Sequence, residues 1–199
     1  MATTLTSAST PTAPAGFRAR LHRQSYNVVA LALIGVAVWR LGWTAELPAV
    51  IAFIVGGVLL GAIDWKVQRL PTKIVYTTLA AVSAGLVFAA LIDSDWRSLG
   101  TAVLGGLFYA NVFLVISLLA TEFSGMKVLG NGDVRLAAVL GVMLGWYGLD
   151  YVLYGAIAGH LLALVMIAVM SAKARRFDVR YAFGPPLLAG AYLVILIQP

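Results

Sequence analysis

Two aspartates adjoin long apolar runs, where a carboxylate is unusual. Asp64 closes the run GGVLLGAID, and Asp133 opens the run DVRLAAVLG. Two carboxylates within hydrogen-bond reach cannot both ionise freely, so one of them keeps a proton. The charged one can take a proton from water while the protonated one donates to a carbonyl oxygen. Such a pair hydrolyses a peptide bond without a serine or cysteine nucleophile and without a metal.

Two glycines stand just before the second aspartate. Gly130 and Gly132 flank an asparagine and lead directly into Asp133. Because glycine has no side chain, the backbone of a substrate could approach Asp133 closely here, and the turn is free to adopt positive φ angles. The simpler alternative is that the glycines only make a tight loop.

Proline marks two further stretches on the chain. Pro71 follows Asp64 by seven residues, and we expect it to break the segment and redirect the chain into the next one. The stretch AFGPP (182–186) opens the last apolar run. Proline is tolerated in the first turn of a helix, and Gly184 before it provides a point of close approach.

Each aspartate also has a structural interpretation when it is taken alone. Asp133 is suited to be a helix N-cap, where its charge is favoured by the helix dipole. Asp64 is suited to be an interfacial residue that pairs with Lys66 or Arg69. The position of both on one side of a membrane is what favours the catalytic interpretation over these two.

The composition predicts an integral membrane protein. The chain has 199 residues, of which 61% are hydrophobic and only 11% are charged. Soluble domains carry roughly 25% charged residues. The mean hydropathy of +0.94 therefore indicates that lipid is the solvent for most of this chain.

Several kinds of site are excluded by residue counts. The chain has no cysteine, which excludes disulfides, thiolate zinc sites and thiol nucleophiles, and its two histidines are too few for a histidine-rich metal site. We therefore expect no metal and no cofactor. The net charge of +6 would suggest nucleic acid for a soluble protein. Here the charge flanks apolar spans, so the expected partner is the lipid bilayer, with anionic headgroups as contacts, and not nucleic acid.

Seven apolar runs predict an all-α, polytopic bundle of about seven transmembrane helices. A helix needs about 20 residues to cross the hydrocarbon. The predicted organisation is a disordered basic tail (1–25), an extra N-terminal transmembrane helix (26–47) and a six-helix core (48–199). The sequence gives no indication of oligomeric state. The runs lie near residues 27–43, 48–63, 74–92, 98–120, 133–149, 151–171 and 183–197.

The basic residues predict the orientation, because cytoplasmic loops carry an excess of lysine and arginine. With a cytoplasmic N-terminus, only Arg40 and Arg97 fall on the outer side. Asp64 and Asp133 then reach the same, cytoplasmic face of the cell membrane, although they belong to different helices. The other twelve basic residues fall on that face: Arg18, Arg20, Arg23, Lys66, Arg69, Lys73, Lys127, Arg135, Lys173, Arg175, Arg176 and Arg180.

Three stretches together resemble the type IV prepilin peptidases and the archaeal preflagellin peptidases, which are membrane aspartic proteases with a GxGD motif. The stretches are DWKVQRLP (64–71), GNGDVRL (130–136) and AFGP (182–185). The resemblance implies that Asp64 and Asp133 are catalytic. It also implies supporting roles for the remaining residues of these motifs: Pro71, Gly130, Gly132, Arg135, Phe183, Gly184 and Pro185.

The chain departs from the family pattern at a few positions. Arg135 replaces the usual lysine, Thr72 stands where asparagine is often found, and Ala182 replaces a proline. A further departure is Pro186, where a bulkier residue is common. None of these changes touches an aspartate, so the resemblance still implies activity.

The resemblance also implies a substrate. Larger members of the family carry a cysteine-rich region that uses S-adenosylmethionine to methylate the product, and the chain is expected to be a short form without it. Short forms resemble the peptidases of tight-adherence (Flp) pili. The implied substrate is a prepilin-like membrane precursor with a short basic leader and then a hydrophobic helix. The implied cut is at the cytoplasmic face, commonly after a glycine.

A transporter or channel is the alternative from another functional class. Aspartates within membranes often serve as proton relays. That function predicts ionisable residues spread through the depth of the membrane. The predicted spans hold few polar candidates, mainly Asn111 and His160, and the latter is interpreted as a packed, hydrogen-bonded residue.

Overall fold

The computed structural model describes residues 15–68, 70–124, 130–174 and 182–198; within these ranges the side chains of 15–24, 120, 123–124 and 173–174 are not described. All regular secondary structure in the described ranges is helical, which confirms the all-α prediction. Helices satisfy their own backbone hydrogen bonds, as lipid requires. The helices are α1 (Ala15–Leu41), α2 (Leu47–Val67), α3 (Thr72–Asp93), α4 (Trp96–Ser124), α5 (Asn131–Gly145), α6 (Leu149–Ala174) and α7 (Gly184–Ile197).

Four helices are long and apolar enough to cross a membrane. These spans are Leu47–Val67, Thr72–Asp93, Trp96–Leu119 and Leu149–Ala172, each with a mean hydropathy of 2.0 or more. Two shorter apolar helices accompany them, at Ser25–Leu41 and Gly184–Ile197. The protein is thus a multi-pass membrane protein.

Helix α5 is short and central. Its 15 residues give a length of about 22 Å, which is less than the hydrocarbon thickness of about 30 Å. It contacts α2, α3, α4, α6 and α7, and most of its residues after the first turn are buried. Asp133 lies in that first turn. Five of the other helices therefore contact the element that carries the second aspartate.

The chain direction defines two ends of the bundle. Helix α2 ends at one end of the bundle, where helices α3, α5 and α7 begin. We call this the aspartate end. At the opposite end, the Arg40 guanidinium donates to the carbonyl of Gln198 across 2.8 Å, which brings the last turn of α1 to the last turn of α7. Arg40 also shares a polar cavity there with Glu46 and Ser98. The N-terminal end of α1 consequently lies on the aspartate side.

Helix boundaries differ from the apolar runs at most ends, and most of all at the start of α1. Helix α1 begins at Ala15 and so includes part of the segment predicted to be a disordered tail. Its first residues, AGFRARLHRQ, contain good helix formers, which extend the helix beyond the apolar run. Helix α5 ends at Gly145, earlier than the run 133–149. The break occurs where Gly148 adopts a φ of +140°, a conformation that residues with a Cβ rarely adopt.

Glycines allow α4 and α5 to pack with their backbones in contact. A Cβ at Gly141 would lie 2.8 Å from the carbonyl carbon of Gly105 and 2.9 Å from the Cα of Gly106. Small residues commonly permit this close approach between membrane helices. Because the obstacle is backbone, it cannot be relieved by a side-chain rotation.

Gly141→Ala is therefore expected to destabilise the bundle by about 1–3 kcal/mol, the usual range for overpacking. The apparent melting temperature of the detergent-purified protein should fall by several degrees. Gly100→Ala on α4 is the matched control, because a Cβ there meets no atom within 4 Å. Equal melting temperatures for the two variants would contradict the proposed backbone contact.

Candidate active site

Asp64 is buried in the last turn of α2. Only 5% of the surface of Asp64 is exposed. Its carboxylate oxygen Oδ2 accepts a hydrogen bond of 2.9 Å from the backbone N–H of Gly184. A buried carboxylate requires donors to offset its desolvation, and a helix N-terminus has free N–H groups. The start of α7 thus supplies a donor to the aspartate at the end of α2.

The AFGPP stretch forms the beginning of α7. Phe183 is the N-cap residue, and the prolines lie in the first turn, where a missing N–H costs nothing. A Cβ at Gly184 would lie 2.8 Å from Oδ2 and 3.3 Å from Cγ of Asp64. Position 184 therefore has to be glycine, because a side chain there would collide with the Asp64 carboxylate. Pro185 contacts α2 near Gly61, about one turn before Asp64.

Asp133 closes a reciprocal capping arrangement at the start of α5. Its carboxylate oxygen Oδ2 accepts a hydrogen bond of 3.1 Å from the N–H of Gly130, and its own N–H donates to the Gly130 carbonyl across 3.0 Å. The N-cap is Gly130, so the alternative in which Asp133 is itself the N-cap is wrong. Asp133 lies three residues later because the helix starts at Asn131. Its side chain is held by one oxygen and partly exposed.

The two glycines before Asp133 allow close contact with neighbouring residues. Neither of them adopts an unusual backbone conformation. Gly130 has a φ of −77°, which any residue can adopt. The glycines with positive φ among the described residues are Gly42 and Gly148. A Cβ at Gly132 would lie 3.0 Å from the Cβ of Leu70. The GNGD turn thus packs on the segment that follows Asp64.

The segment after Asp64 turns sharply between α2 and α3. Gln68 ends α2 in the left-handed conformation, with its N–H bonded to the Asp64 carbonyl across 2.9 Å. Pro71 is the N-cap of α3, in extended conformation. Lys66, one of the two partners considered for Asp64, instead lies with its Nζ 5.3 Å from the centre of the Tyr26 ring. The other, Arg69, lies outside the described residues.

Arg135 links the two aspartate motifs. Its Nη1 donates a hydrogen bond of 2.7 Å to Oγ1 of Thr72, the first residue of α3. The guanidinium also lies 5.7 Å from the centre of the Tyr76 ring, which is within cation–π range. Both Arg135 and Thr72 depart from the family pattern, and they contact each other. The contact joins the first turn of α5 to the first turn of α3.

These contacts bring the three sequence motifs together at the aspartate end of the bundle. Gly184 binds Asp64, Gly132 packs on Leu70, and Phe183, the residue before Gly184, lines the same cavity as Asp133. Two carboxylates that share one site cannot both ionise freely, so one of them keeps a proton. The arrangement can therefore supply one acid and one base to a reacting group between them.

A cavity of about 230 Å³ opens beside Asp133. Its other walls are Phe113 and Ile116 of α4, His160 of α6 and Phe183. Phe113 and Ile116 were missed by sequence reasoning, because apolar residues in a transmembrane run carry no chemical signature. Only the three-dimensional packing of α4 against α5 identifies them.

A larger apolar groove, of about 630 Å³, lies between α1, α2, α6 and α7. Residues such as Leu33, Phe53 and Leu188 line it, and neither aspartate does. Of these two, the smaller cavity is the one that an aspartate lines. Within the described ranges, no group of three or more His, Asp or Glu side chains could hold a metal ion.

Comparison with known proteins gives one family. The model of the type IV leader peptidase family matches residues 50–172. This range includes Asp64 and Asp133 and excludes Gly184, which lies in the last helix. No solved structure shows a significant match to the chain.

Three curated relatives are each named prepilin leader peptidase/N-methyltransferase. The protein of Neisseria gonorrhoeae is 32% identical over 81% of this chain and 53% of its own length. Those of Stutzerimonas stutzeri and Pseudomonas aeruginosa are 29% and 31% identical, each over 85% of this chain and 55% of their own length. The chain therefore spans about half the length of the curated relatives it matches.

Proposed function

The chain belongs to the type IV leader peptidase family, and we propose that it is a membrane-embedded aspartic endopeptidase that removes the leader from prepilin-like precursors. One observation carries the proposal: the start of α7 contacts both aspartate positions, because the Gly184 N–H binds Asp64 and the adjacent Phe183 lines the same cavity as Asp133. The names of the relatives also include an N-methyltransferase. The proposal concerns leader removal alone, because that is the reaction to which two carboxylates are suited.

The proposed chemistry is general acid–base hydrolysis by Asp64 and Asp133. The ionised carboxylate takes a proton from water as the water oxygen attacks the scissile carbonyl carbon, while the protonated carboxyl donates to the carbonyl oxygen. When the tetrahedral intermediate collapses and the C–N bond breaks, the leaving amine takes the proton that the first carboxylate accepted from water, and a hydroxyl of the intermediate returns its proton to the second carboxylate. Gly184 supports this chemistry by holding one oxygen of Asp64, and Gly130 by holding one oxygen of Asp133.

The proposed substrate is a precursor of the Flp, or tight-adherence, type, with a short basic leader followed by a hydrophobic helix. Its support is the likeness of the cysteine-free chain to short members of the family. The proposed site of cleavage is the cytoplasmic face of the cell membrane. The support for this face is that Lys66, Lys73 and Arg135 lie at the aspartate end, because cytoplasmic loops carry an excess of basic residues.

The test of the proposed function is co-expression with a prepilin-like precursor encoded in the same genome. Leader removal should appear as a mobility shift of the precursor on a gel, and mass spectrometry should identify the new N-terminus. A precursor whose leader is cut in the absence of this chain is unsuitable, so a host without other prepilin peptidases is required. A full-length precursor in the presence of the membrane-inserted chain would overturn the proposal.

The described spans offer little support for the transporter alternative. The side chain Nδ2 of Asn111 donates to the Leu107 carbonyl across 2.8 Å, and Nδ1 of His160 lies 2.7 Å from the Ala156 carbonyl. Each side chain thus bonds to its own helix, four residues earlier. This confirms the hydrogen bond predicted for His160, although the residue is exposed and not packed inside the bundle. Neither bond links the aspartates to the opposite end.

The proposed topology can be tested by labelling single cysteines, since the chain has none of its own. Lys66→Cys marks the aspartate end and Asp93→Cys the opposite end; both residues are exposed. A membrane-impermeant maleimide added to intact cells should label Cys at 93 and reach Cys at 66 only after permeabilisation. The reverse pattern would place the aspartates on the outer side.

Thr72→Val is expected to slow leader removal about 3- to 10-fold, because it removes the hydroxyl that receives the Arg135 hydrogen bond. A bond to a charged group contributes about 1.5–3 kcal/mol at most, and partial exposure lowers that value here. Thr72→Ser should restore the rate. Thr77→Val is the control, because Thr77 bonds only to the Lys73 carbonyl of its own helix. Equal rates for Thr72→Val and Thr77→Val would contradict a positioning role for the contact.

A further inference from the structure

The end of the bundle opposite the aspartates holds a cavity of about 390 Å³. This volume falls in the range of roughly 300–1,000 Å³ that is usual for sites of small molecules. The cavity lies where α1, α5 and α7 end and where α2 and α4 begin. We call it the polar cavity, after the polar residues in its walls: Arg40, Thr44, Glu46, Ser98, Tyr147 and Gln198.

Arg40 and Glu46 bring opposite charges to this one cavity. The Arg40 guanidinium has five N–H donors and uses one of them for the Gln198 carbonyl, so it can bind a further acceptor. Glu46 is the N-cap residue of α2, but its side chain makes no capping hydrogen bond. Its carboxylate is therefore available to a donor in the cavity. A ligand that carries an anion and a hydrogen-bonding cation matches both walls.

A buried hydroxyl adjoins these charges. The side-chain oxygen of Tyr147 is buried and has no hydrogen bond of ordinary geometry among the described residues, although the Gln198 side chain approaches it. Buried polar atoms without a partner are rare in native proteins and costly. A polar guest that this hydroxyl reaches, directly or through the Gln198 carboxamide, would offset that cost. The walls thus suit a hydrogen-bonding guest.

Exposed tryptophans indicate that the polar cavity lies at the depth of the lipid headgroups. Trp39, Trp43 and Trp96 are 83%, 92% and 59% exposed. Each stands within two residues of one that lines the cavity. Tryptophan is enriched at the interface between membrane and water, where one part of the ring is in lipid and the other is wet. The nearest source of a ligand is therefore the bilayer itself.

The charges around the polar cavity favour a zwitterion over an anion. A purely anionic headgroup would meet an excess of carboxylates, and like charges disfavour binding. A headgroup with a phosphate and a primary ammonium satisfies both signs. A trimethylated ammonium lacks the N–H groups that hydrogen-bond to a carboxylate. The described charged residues at this end are Arg40, Arg97, Glu46, Asp93, Asp95 and Asp150.

We infer that the polar cavity binds the headgroup of phosphatidylethanolamine, with the phosphate on Arg40 and the ammonium on Glu46. The planar guanidinium matches two phosphate oxygens at once. The acyl chains then run into the bilayer beside the bundle. The bound lipid joins the end of α1 to the start of α2. The inference goes beyond the proposed function, because it involves neither aspartate and holds for either orientation of the chain in the membrane.

The experiment measures lipid binding to the detergent-purified chain by native mass spectrometry. Three dioleoyl lipids are added one at a time: phosphatidylethanolamine, phosphatidylcholine and phosphatidylglycerol. The wild-type chain should bind phosphatidylethanolamine about 10-fold more tightly than either of the others, the factor that one hydrogen bond to a charged group contributes. Equal affinities for the three lipids would overturn the inference.

Arg40→Gln and Glu46→Gln test the two charged walls separately. Each should lower the affinity for phosphatidylethanolamine about 5- to 10-fold, because each removes one charge-assisted bond at a partly exposed site. Glu46→Gln should also abolish the preference over phosphatidylglycerol. Arg97→Gln and Asp93→Asn are the matched controls, since both residues are exposed at the same end and neither lines the cavity. Wild-type affinity in both cavity variants would refute the site.

Two further measurements separate a lipid from a soluble ligand and binding from misfolding. Glycerophosphoethanolamine, which has the headgroup without acyl chains, should bind about 10-fold more weakly or worse, because the chains hold the lipid in the micelle beside the bundle. Equally tight binding would make the ligand a soluble phosphate ester and overturn the lipid assignment. Phosphatidylethanolamine should also raise the melting temperature of the wild-type chain, and that of Arg40→Gln less. An equal rise in both would count against the site.

Discussion

Asp133→Asn is expected to lower the rate of leader removal about 10³-fold or more while leaving the chain in the membrane at its wild-type amount. General acid–base catalysis by one side chain contributes about 10²–10⁴-fold, and the two carboxylates act as a unit. Asparagine keeps the shape of aspartate, and its carbonyl oxygen can still accept the hydrogen bond from Gly130. It cannot exchange a proton at the pH of a cell.

Asp64→Asn is expected to have an equally large effect for the same reason. Its amide oxygen can still accept the N–H of Gly184. Because a buried ionised carboxylate costs free energy, the neutral asparagine should not lower the melting temperature of the purified protein. Loss of activity with unchanged or raised thermal stability is the pattern of a residue kept for chemistry and not for folding.

Asp93→Asn is the matched control for both variants, since Asp93 is exposed at the opposite end of the bundle. Leader removal is measured per amount of membrane-inserted chain, by the ratio of mature to full-length precursor over time. The control should process the precursor at the wild-type rate. Processing by Asp64→Asn or Asp133→Asn within about 10-fold of wild type would refute the two-aspartate mechanism.

The fold followed from hydropathy because each apolar run must be helical in lipid. The sequence predicted seven apolar segments, and each of the seven helices in the described ranges overlaps one of them. What hydropathy did not predict were the ends. Helix α1 begins at Ala15, in a polar stretch with high helix propensity. Helix α5 ends shortly before Gly148, although the residues on both sides of this glycine are apolar. Helix ends depend on local backbone conformation, which mean hydropathy does not report.

The candidate site was predictable only in part. The count of basic residues predicted that Asp64 and Asp133 lie at one membrane face. The donor to Asp64 was not predictable, because it is the backbone N–H of Gly184, and a backbone group has no sequence signature. The contact between Arg135 and Thr72 was equally hidden. It joins two positions that looked like independent departures from the family pattern.

Gly184 gives the second large prediction, because its missing side chain leaves room for the Asp64 carboxylate. A Cβ at this position would lie 2.8 Å from Oδ2, which is closer than a carbon and an oxygen can approach without displacement. The φ angle of Gly184 is not in the positive range, so alanine is compatible with the backbone and only the carboxylate must move. Moving it breaks the hydrogen bond from the Gly184 N–H and changes its distance to Asp133.

Gly184→Ala is accordingly expected to slow leader removal about 10²-fold, the usual effect of a misplacement of about 1 Å in an active site. The melting temperature should change little, because alanine favours the first turn of α7 more than glycine does. Gly61→Ala is the matched control on α2, three residues before Asp64: its Cβ would meet Leu188 at 3.7 Å, an ordinary contact, and activity should persist. Wild-type rates in Gly184→Ala would mean that the carboxylate of Asp64 does not need the position in which Gly184 holds it.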